Sequence, residues 1–128
     1  MIDFSGIVKK GQQRGKRLGF PTANINLFLS IPEGIYISEI EIENEKFSSI
    51  TFIGKAVTYN EEQYQAETYI FNFEKDIYGK KIFVRLLKKI RDNQRFTTEE
   101  KLVQQMKADI IEAERYFFKK YEDNKSGI

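Results

Sequence analysis

The ten residues Gly15-Lys16-Arg17-Leu18-Gly19-Phe20-Pro21-Thr22-Ala23-Asn24 bring together glycines, cations, a proline, a hydroxyl and a carboxamide. Gly15 and Gly19 permit close approach of the backbone to a ligand, or a positive φ. Lys16 and Arg17 add positive charge beside that backbone, and Pro21 stiffens the chain before Thr22. Thr22 and Asn24 offer hard oxygen donors of the kind that suit a magnesium ion carrying phosphates. The same residues also describe a basic surface turn before a strand, and spacing alone leaves both readings open. GxxxxGK[ST] and a GxGxxG that opens a helix are both missing, so a phosphate site in this chain has another design.

Glu67 is the carboxylate whose position is most suggestive. It alternates with Tyr69, Phe71 and Phe73, a face where water is scarce. Desolvation there would raise its pKa and make it a competent proton acceptor. A solvent-facing strand glutamate would show the same alternation. Two loops are further candidates. Tyr78-Gly79, within Asp76 to Lys81, pairs turn chemistry with an aromatic lid that either stacks on a ring or covers a barrel end. Arg91 to Phe96 joins the last strand to a helix and is a candidate binding surface, with an Arg91 pairing to Asp92 or Glu99 as the plainer use.

Composition narrows the chemistry. The 128 residues fit one domain, 1–128, and the 11 Phe and 7 Tyr supply most of the large core side chains. There is no Cys, so disulfides, thiolate metal sites and cysteine nucleophiles are excluded. There is no His either, which removes serine–histidine hydrolysis and the usual zinc chemistry. A catalyst built here must use carboxylates, lysine, hydroxyls or a hard cation. The net charge of +2 does not argue for nucleic acid. Met1-Ile2-Asp3 does not open a signal peptide and no run is long enough to span a membrane, so a cytoplasmic, monomeric protein is expected.

The elements that must position these groups are mostly strands. Phe4 to Val8 is a short apolar run ended by Lys9-Lys10-Gly11. Gly34 to Glu43 contains Ile35, Ile37, Ile40 and Ile42, and its second half alternates with glutamates. Asn44-Glu45 is the expected turn into Lys46 to Ile53. Gln63 to Phe73 sets Ala66, Thr68, Ile70 and Asn72 opposite Glu67 and its aromatic companions. Lys80 to Lys88 sets Ile82, Val84 and Leu86 opposite Phe83, Arg85 and Leu87. Strands at this spacing, without helices between them, predict an antiparallel barrel or sandwich over about 3–96. The period then changes. Leu102, Met106, Ile110, Ala113 and Phe117 form a helical stripe. A capping box of Thr97 and Glu100 predicts a helix from about 98 to 121, packed on the outside of the barrel, with 122–128 as a frayed tail.

The order of these segments resembles the ATP-dependent riboflavin kinase family, whose bacterial members usually form the C-terminal half of a bifunctional FAD synthetase. The resemblance runs from Phe4 to about Arg115. It rests on GKRLGFPTAN at 15–24, GIY at 34–36, ETYIFNFEKDIYGK at 67–80, KKIRDNQRF at 88–96 and KLVQQMKADI at 101–110. It implies a small, closed, six-stranded antiparallel Greek-key barrel with a C-terminal helix. It implies transfer of the ATP γ-phosphoryl group to the terminal ribityl hydroxyl of riboflavin, with magnesium as the cofactor. By that resemblance Thr22 and Asn24 hold the metal and Glu67 is the catalytic base. Lys10, Gly11, Gly15, Lys16, Gly19, Thr22, Ile70, Asn72 and Tyr78 contact the nucleotide, and Arg91, Gln94 and Phe96 contact the flavin. The expected partners are thus two small molecules, with no nucleic acid and no membrane.

The chain departs from the family at 52–59. Where bacterial members commonly read NIG and then a proline-threonine-phenylalanine turn, Phe52 replaces the asparagine and Val57 the proline. The 128 residues hold no counterpart of the adenylyltransferase half, so FMN rather than FAD is their expected product, whether they stand alone or are excised from a bifunctional FAD synthetase. Two other classes compete: a flavin- or nucleotide-binding regulatory module without turnover, and a nucleic-acid-binding barrel of the OB type.

Overall fold

The structure is a computed structural model that describes residues 2–9, 19, 21–58 and 61–126. It divides into two compact units, Met1–Asn93 and Gln94–Ile128. The first holds six strands: β1 (Ile2–Ile7), β2 (Ala23–Asn26), β3 (Gly34–Ile42), β4 (Glu45–Thr58), β5 (Glu61–Ile70) and β6 (Lys81–Arg91). The second holds one helix, α1 (Glu99–Ser126).

The strands are rich in isoleucine, valine and aromatic residues, which fit a pleated, half-buried surface. All pairings are antiparallel, in the spatial order β1-β6-β3-β4-β5-β2. The meander β3-β4-β5 has β6 returning beside β3, which is the Greek-key arrangement. The two ends of this order approach one another. Lys9, just past β1, bridges to Asn24 of β2, and its amide donates to the Asn24 carbonyl at 2.8 Å. The barrel is therefore nearly closed rather than fully closed, because one bridge replaces a ladder between β1 and β2.

Alternation decides what fills the barrel. Ile25, Ile40, Ile53, Ala66, Ile82 and Val84 are buried together in its interior. Each such aliphatic side chain stabilises the fold by about 1.5–3 kcal/mol relative to exposure, alanine less. One stretch of the interior is polar. Ser38 Oγ lies 2.7 Å from both Ser49 Oγ and Thr51 Oγ1, and Thr51 Oγ1 lies 2.8 Å from Thr68 Oγ1. These four buried hydroxyls satisfy one another across β3, β4 and β5, as buried polar groups must.

Several element boundaries differ from the sequence expectation. The β3–β4 turn falls on Glu43 and Asn44, both at positive φ, one residue earlier than expected; two residues of this kind match the twist of a tight hairpin. β4 runs on to Thr58 and β6 to Arg91, because backbone pairing continues past the end of clear alternation. β5 starts at Glu61 and stops at Ile70. Asn72 is thus not a strand residue: it sits in a turn at φ 55°, a left-handed conformation that asparagine tolerates. In the second unit the N-cap is Thr98, whose Oγ1 accepts the Lys101 amide at 3.2 Å, rather than Thr97. α1 continues to Ser126, five residues beyond the expected end and through most of the expected frayed tail, since no Gly or Pro intervenes before Gly127. Among the described residues no helix is long and apolar enough to cross a membrane.

Candidate active site

Register brings distant residues into one row on the outer face of the barrel. Asn24 of β2 is paired with Glu67 of β5, Glu67 with Phe52 of β4, Phe52 with Ile35 of β3, and Ile35 with Arg91 of β6. The Lys9 bridge extends the row on the other side of Asn24. Directly opposed residues share a face and stand about 4.5–5.5 Å apart at Cβ. A cation, a carboxamide, a carboxylate and a phenyl ring therefore follow one another across four neighbouring strand segments.

Glu67 is half-buried in this row. Burial pushes its carboxyl above the ordinary glutamate range, and the nearby Lys9 ammonium opposes that shift. Phe52 is its cross-strand neighbour on β4. The Phe52 ring leans over Gly54, where an added Cβ would come within 2.6 Å of the ring. Asn93 donates from Nδ2 to the Ile53 carbonyl at 3.2 Å, which ties the chain after β6 to β4.

Asn24 is almost fully buried, at 3% exposure, and its Nδ2 donates to the Thr22 carbonyl at 3.3 Å. The donor end of the carboxamide is thereby occupied. Thr22 lies two residues upstream and is half-buried. Among the described residues no group of three or more Asp or Glu could hold a metal. One or two neutral oxygens of this type fit a cation whose remaining ligands are water and phosphate oxygens, the usual arrangement for magnesium.

Beside Thr22 opens a cleft of about 370 Å³, lined among others by Thr22, Thr68, Ile70, Phe73, Ile77 and Tyr78. Its rim is a tight turn. Asp76 Oδ1 accepts the Tyr78 amide at 3.0 Å, Gly79 adopts φ 80°, and the Gly79 amide donates to the Val8 carbonyl at 2.8 Å. Tyr78 is 40% exposed at this rim. Thr68 connects the cleft wall to the interior hydroxyl chain.

The sequence-derived candidates thus separate into groups. Asn24 and Glu67 meet directly, Thr22 adjoins them, and Ile70 and Tyr78 share the cleft with Thr22. Asn72 stands in the turn between Ile70 and Phe73 and does not line the cleft. Arg91 ends the row and donates from Nη1 to the Asp92 carbonyl oxygen at 3.2 Å, while the Asp92 carboxylate is taken by Lys89 at 2.7 Å. Gly19 is exposed at φ 91°. Gln94 and Phe96 belong to the second unit, in the segment before α1. Lys10, Gly11, Gly15 and Lys16 lie outside the described residues. Sequence reasoning missed Lys9 as the charge beside Glu67 and Phe52 as its cross-strand neighbour. Neither was visible without the register, although the basic Lys9-Lys10 pair was a hint.

Comparison with known proteins gives one family. The family model described as Flavokinase: Riboflavin kinase matches residues 1–117. A bifunctional riboflavin kinase/FMN adenylyltransferase of Bacillus subtilis (strain 168) is 36% identical over 120 residues, covering 89% of this chain and 38% of its own length. A protein of the same organism named an RNA-binding riboflavin kinase is 36% identical over 112 residues, covering 86% of this chain and 49% of its own. The crystal structure of riboflavin kinase from Trypanosoma brucei superposes with a TM-score of 0.62 at 24% identity, over 89% of this chain and 78% of that one, a likeness of fold. This chain spans between 18% and 49% of the length of the curated relatives it matches.

Proposed function

The chain belongs to the riboflavin kinase family, and we propose that it transfers the γ-phosphoryl group of ATP to the terminal ribityl hydroxyl of riboflavin, giving FMN and ADP. The observation that carries this reading is the pairing of Asn24 with Glu67 across β2 and β5. A buried carboxamide and a desolvated carboxylate are neighbours in register, and Thr22, two residues before Asn24, lines the cleft.

Phosphoryl transfer asks a protein for positioning and charge neutralisation more than for covalent help. Glu67 accepts the proton of the ribityl hydroxyl as its oxygen bonds to the γ-phosphorus and the bond from phosphorus to the β–γ bridging oxygen breaks. The leaving oxygen departs with ADP, and the proton passes from Glu67 to solvent. Thr22 and Asn24 hold the magnesium ion, which when bound offsets the negative charge of the phosphates. Burial makes Glu67 a stronger proton acceptor than an exposed glutamate, and Lys9 keeps that increase moderate. Ile70 and Tyr78, which line the cleft, receive the nucleoside, with the Tyr78 ring against the base, and Asn72 reaches it from the turn beside them. The segment containing Lys10, Gly11, Gly15, Lys16 and Gly19 covers the phosphates. Arg91, Gln94 and Phe96 receive the flavin. None of these roles needs histidine or cysteine, which the chain lacks.

The test is incubation with riboflavin, ATP and Mg²⁺, with separation of the flavins by chromatography. FMN should accumulate, and chelation of the divalent ion should stop it. A protein that binds riboflavin and forms no FMN under any divalent ion would sink the kinase reading in favour of a binding module.

A further inference from the structure

Asn26 is the last residue of β2. Its Oδ1 is buried and, among the described residues, is the buried side-chain oxygen or nitrogen without a hydrogen-bond partner. A stranded acceptor of this kind costs about 1–3 kcal/mol in a folded protein. Native structures hold few of them, and an unoccupied ligand position is one reason for an exception.

Its surroundings say which ligand. Ala23 and Ile25 point into the core, so Asn24 and Asn26 share the outer face of β2. Asn26 is paired with Gln65, and Gln65 with Gly54. Glu67 is the diagonal neighbour of Asn26. One ladder step beyond the row of Asn24, Glu67 and Phe52, the same face therefore continues as two carboxamides and a glycine. This second row sets two carboxamides directly beside Glu67, with the Phe52 ring leaning over its Gly54 end.

Direction settles the rest. The cleft opens from Thr22, on the N-terminal side of Asn24, whereas Asn26 lies on the C-terminal side. In phosphoryl transfer the attacking and leaving oxygens stand on opposite sides of phosphorus. With the nucleotide in the cleft beside Thr22, the far side of the phosphorus lies toward Asn26, about 7 Å along the strand from Asn24. A polyol chain whose terminal hydroxyl reaches Glu67 carries its next hydroxyls over this position.

We propose that the Asn26 Oδ1 accepts a hydrogen bond from an inner hydroxyl of the ribityl chain, making Asn26 a determinant of specificity for a polyol-bearing flavin. The proposal rests on the kinase reading of the same site. It is tested by binding, which does not depend on turnover. The dissociation constants of riboflavin and of a flavin whose ribityl chain is replaced by methyl are measured by quenching of flavin fluorescence. Wild type is compared with Asn26→Leu and Asn26→Ala, the second guarding against poor packing of the first, and folding of each is checked by circular dichroism.

Loss of one ligand hydrogen bond should weaken riboflavin binding about threefold to tenfold in both variants. The methyl flavin should bind all three proteins alike, and the KM for ATP should not move. Unchanged riboflavin affinity would mean that the orphan oxygen holds only a water, and would overturn the proposal. An equal loss for both flavins would assign the contact to the ring and overturn it as well. Absence of FMN formation by the wild type would instead refute the kinase reading, whatever the binding ratios.

Discussion

Replacing Glu67 with glutamine should make this protein slower and more stable at once, and both effects come from the same burial. Glutamine keeps the shape and removes the charge and the proton acceptor. General-base catalysis is typically worth ~10²–10⁴ in rate, or about 2.7–5.5 kcal/mol on the barrier at 1.36 kcal/mol per decade. The turnover number in the FMN-formation assay should fall by that factor. Riboflavin and nucleotide affinities should stay within about threefold, because a proton acceptor acts in the transition state rather than in the ground state.

The stability effect has a definite sign. Burial raises the native pKa of Glu67 above that of the unfolded chain. Between the two values the native protein holds more protons than the unfolded one, so stability falls as pH rises through this window. Below the ordinary glutamate value both states are protonated and the penalty vanishes. Above the native value it is fully present. Glu67→Gln should therefore exceed wild type in urea midpoint at pH 8 and match it near pH 4. A slower, more stable variant cannot be explained by misfolding. Full turnover in Glu67→Gln would refute its role as base, and a variant less stable than wild type at pH 8 would refute the desolvated setting.

Other perturbations probe the remaining supports. Lys9→Met removes the ammonium that holds the Glu67 carboxyl down, so the acidic limb of the pH profile of kcat/KM should move to higher pH, and a stationary limb would detach Lys9 from the site. Thr22→Ala should raise the magnesium and ATP concentrations needed for half-maximal FMN formation while leaving riboflavin affinity alone; a parallel loss of riboflavin affinity would count against a metal-side role. Thr51→Val breaks two of the three bonds in the interior hydroxyl chain and strands Thr68, which should cost about 2–4 kcal/mol in urea unfolding, whereas Thr68→Val breaks one and should cost about 1 kcal/mol. Equal costs for these two would show that the chain is not a connected unit.

The barrel was legible in the sequence because alternation is strong where one face is buried. Period alone sets Ile82, Val84 and Leu86 on one face, and the structure buries all three. The tight turns were less legible. Glu43 at positive φ is disfavoured by residue type, and the hairpin adopts it because cross-strand pairing of Ile42 with Glu45 fixes a two-residue loop. The end of β5 was misplaced for a related reason. The Phe71 amide still donates to the Ser48 carbonyl at 3.0 Å, so hydrophobic alternation and one ladder bond continue after the strand geometry has turned at Asn72.

The site was legible residue by residue and opaque as an arrangement. Thr22, Asn24 and Glu67 announce oxygen chemistry by type, yet 43 positions separate Asn24 from Glu67 in the chain. What unites them is register, and register is set elsewhere: Ala23 and Ile25 must face the core, which commits Asn24 to the outer face. A slip of one residue in β2 would exchange Asn24 for Ile25 opposite Glu67 and bury the carboxamide in the barrel. The same isoleucine that fills the interior thus fixes Asn24 beside Glu67. Gly6 completes the constraint, since a Cβ there would come within 3.1 Å of the Ile25 side chain, leaving β1 and β2 close enough for the Lys9 bridge. Core packing and catalytic geometry are in this way one selection on one short strand.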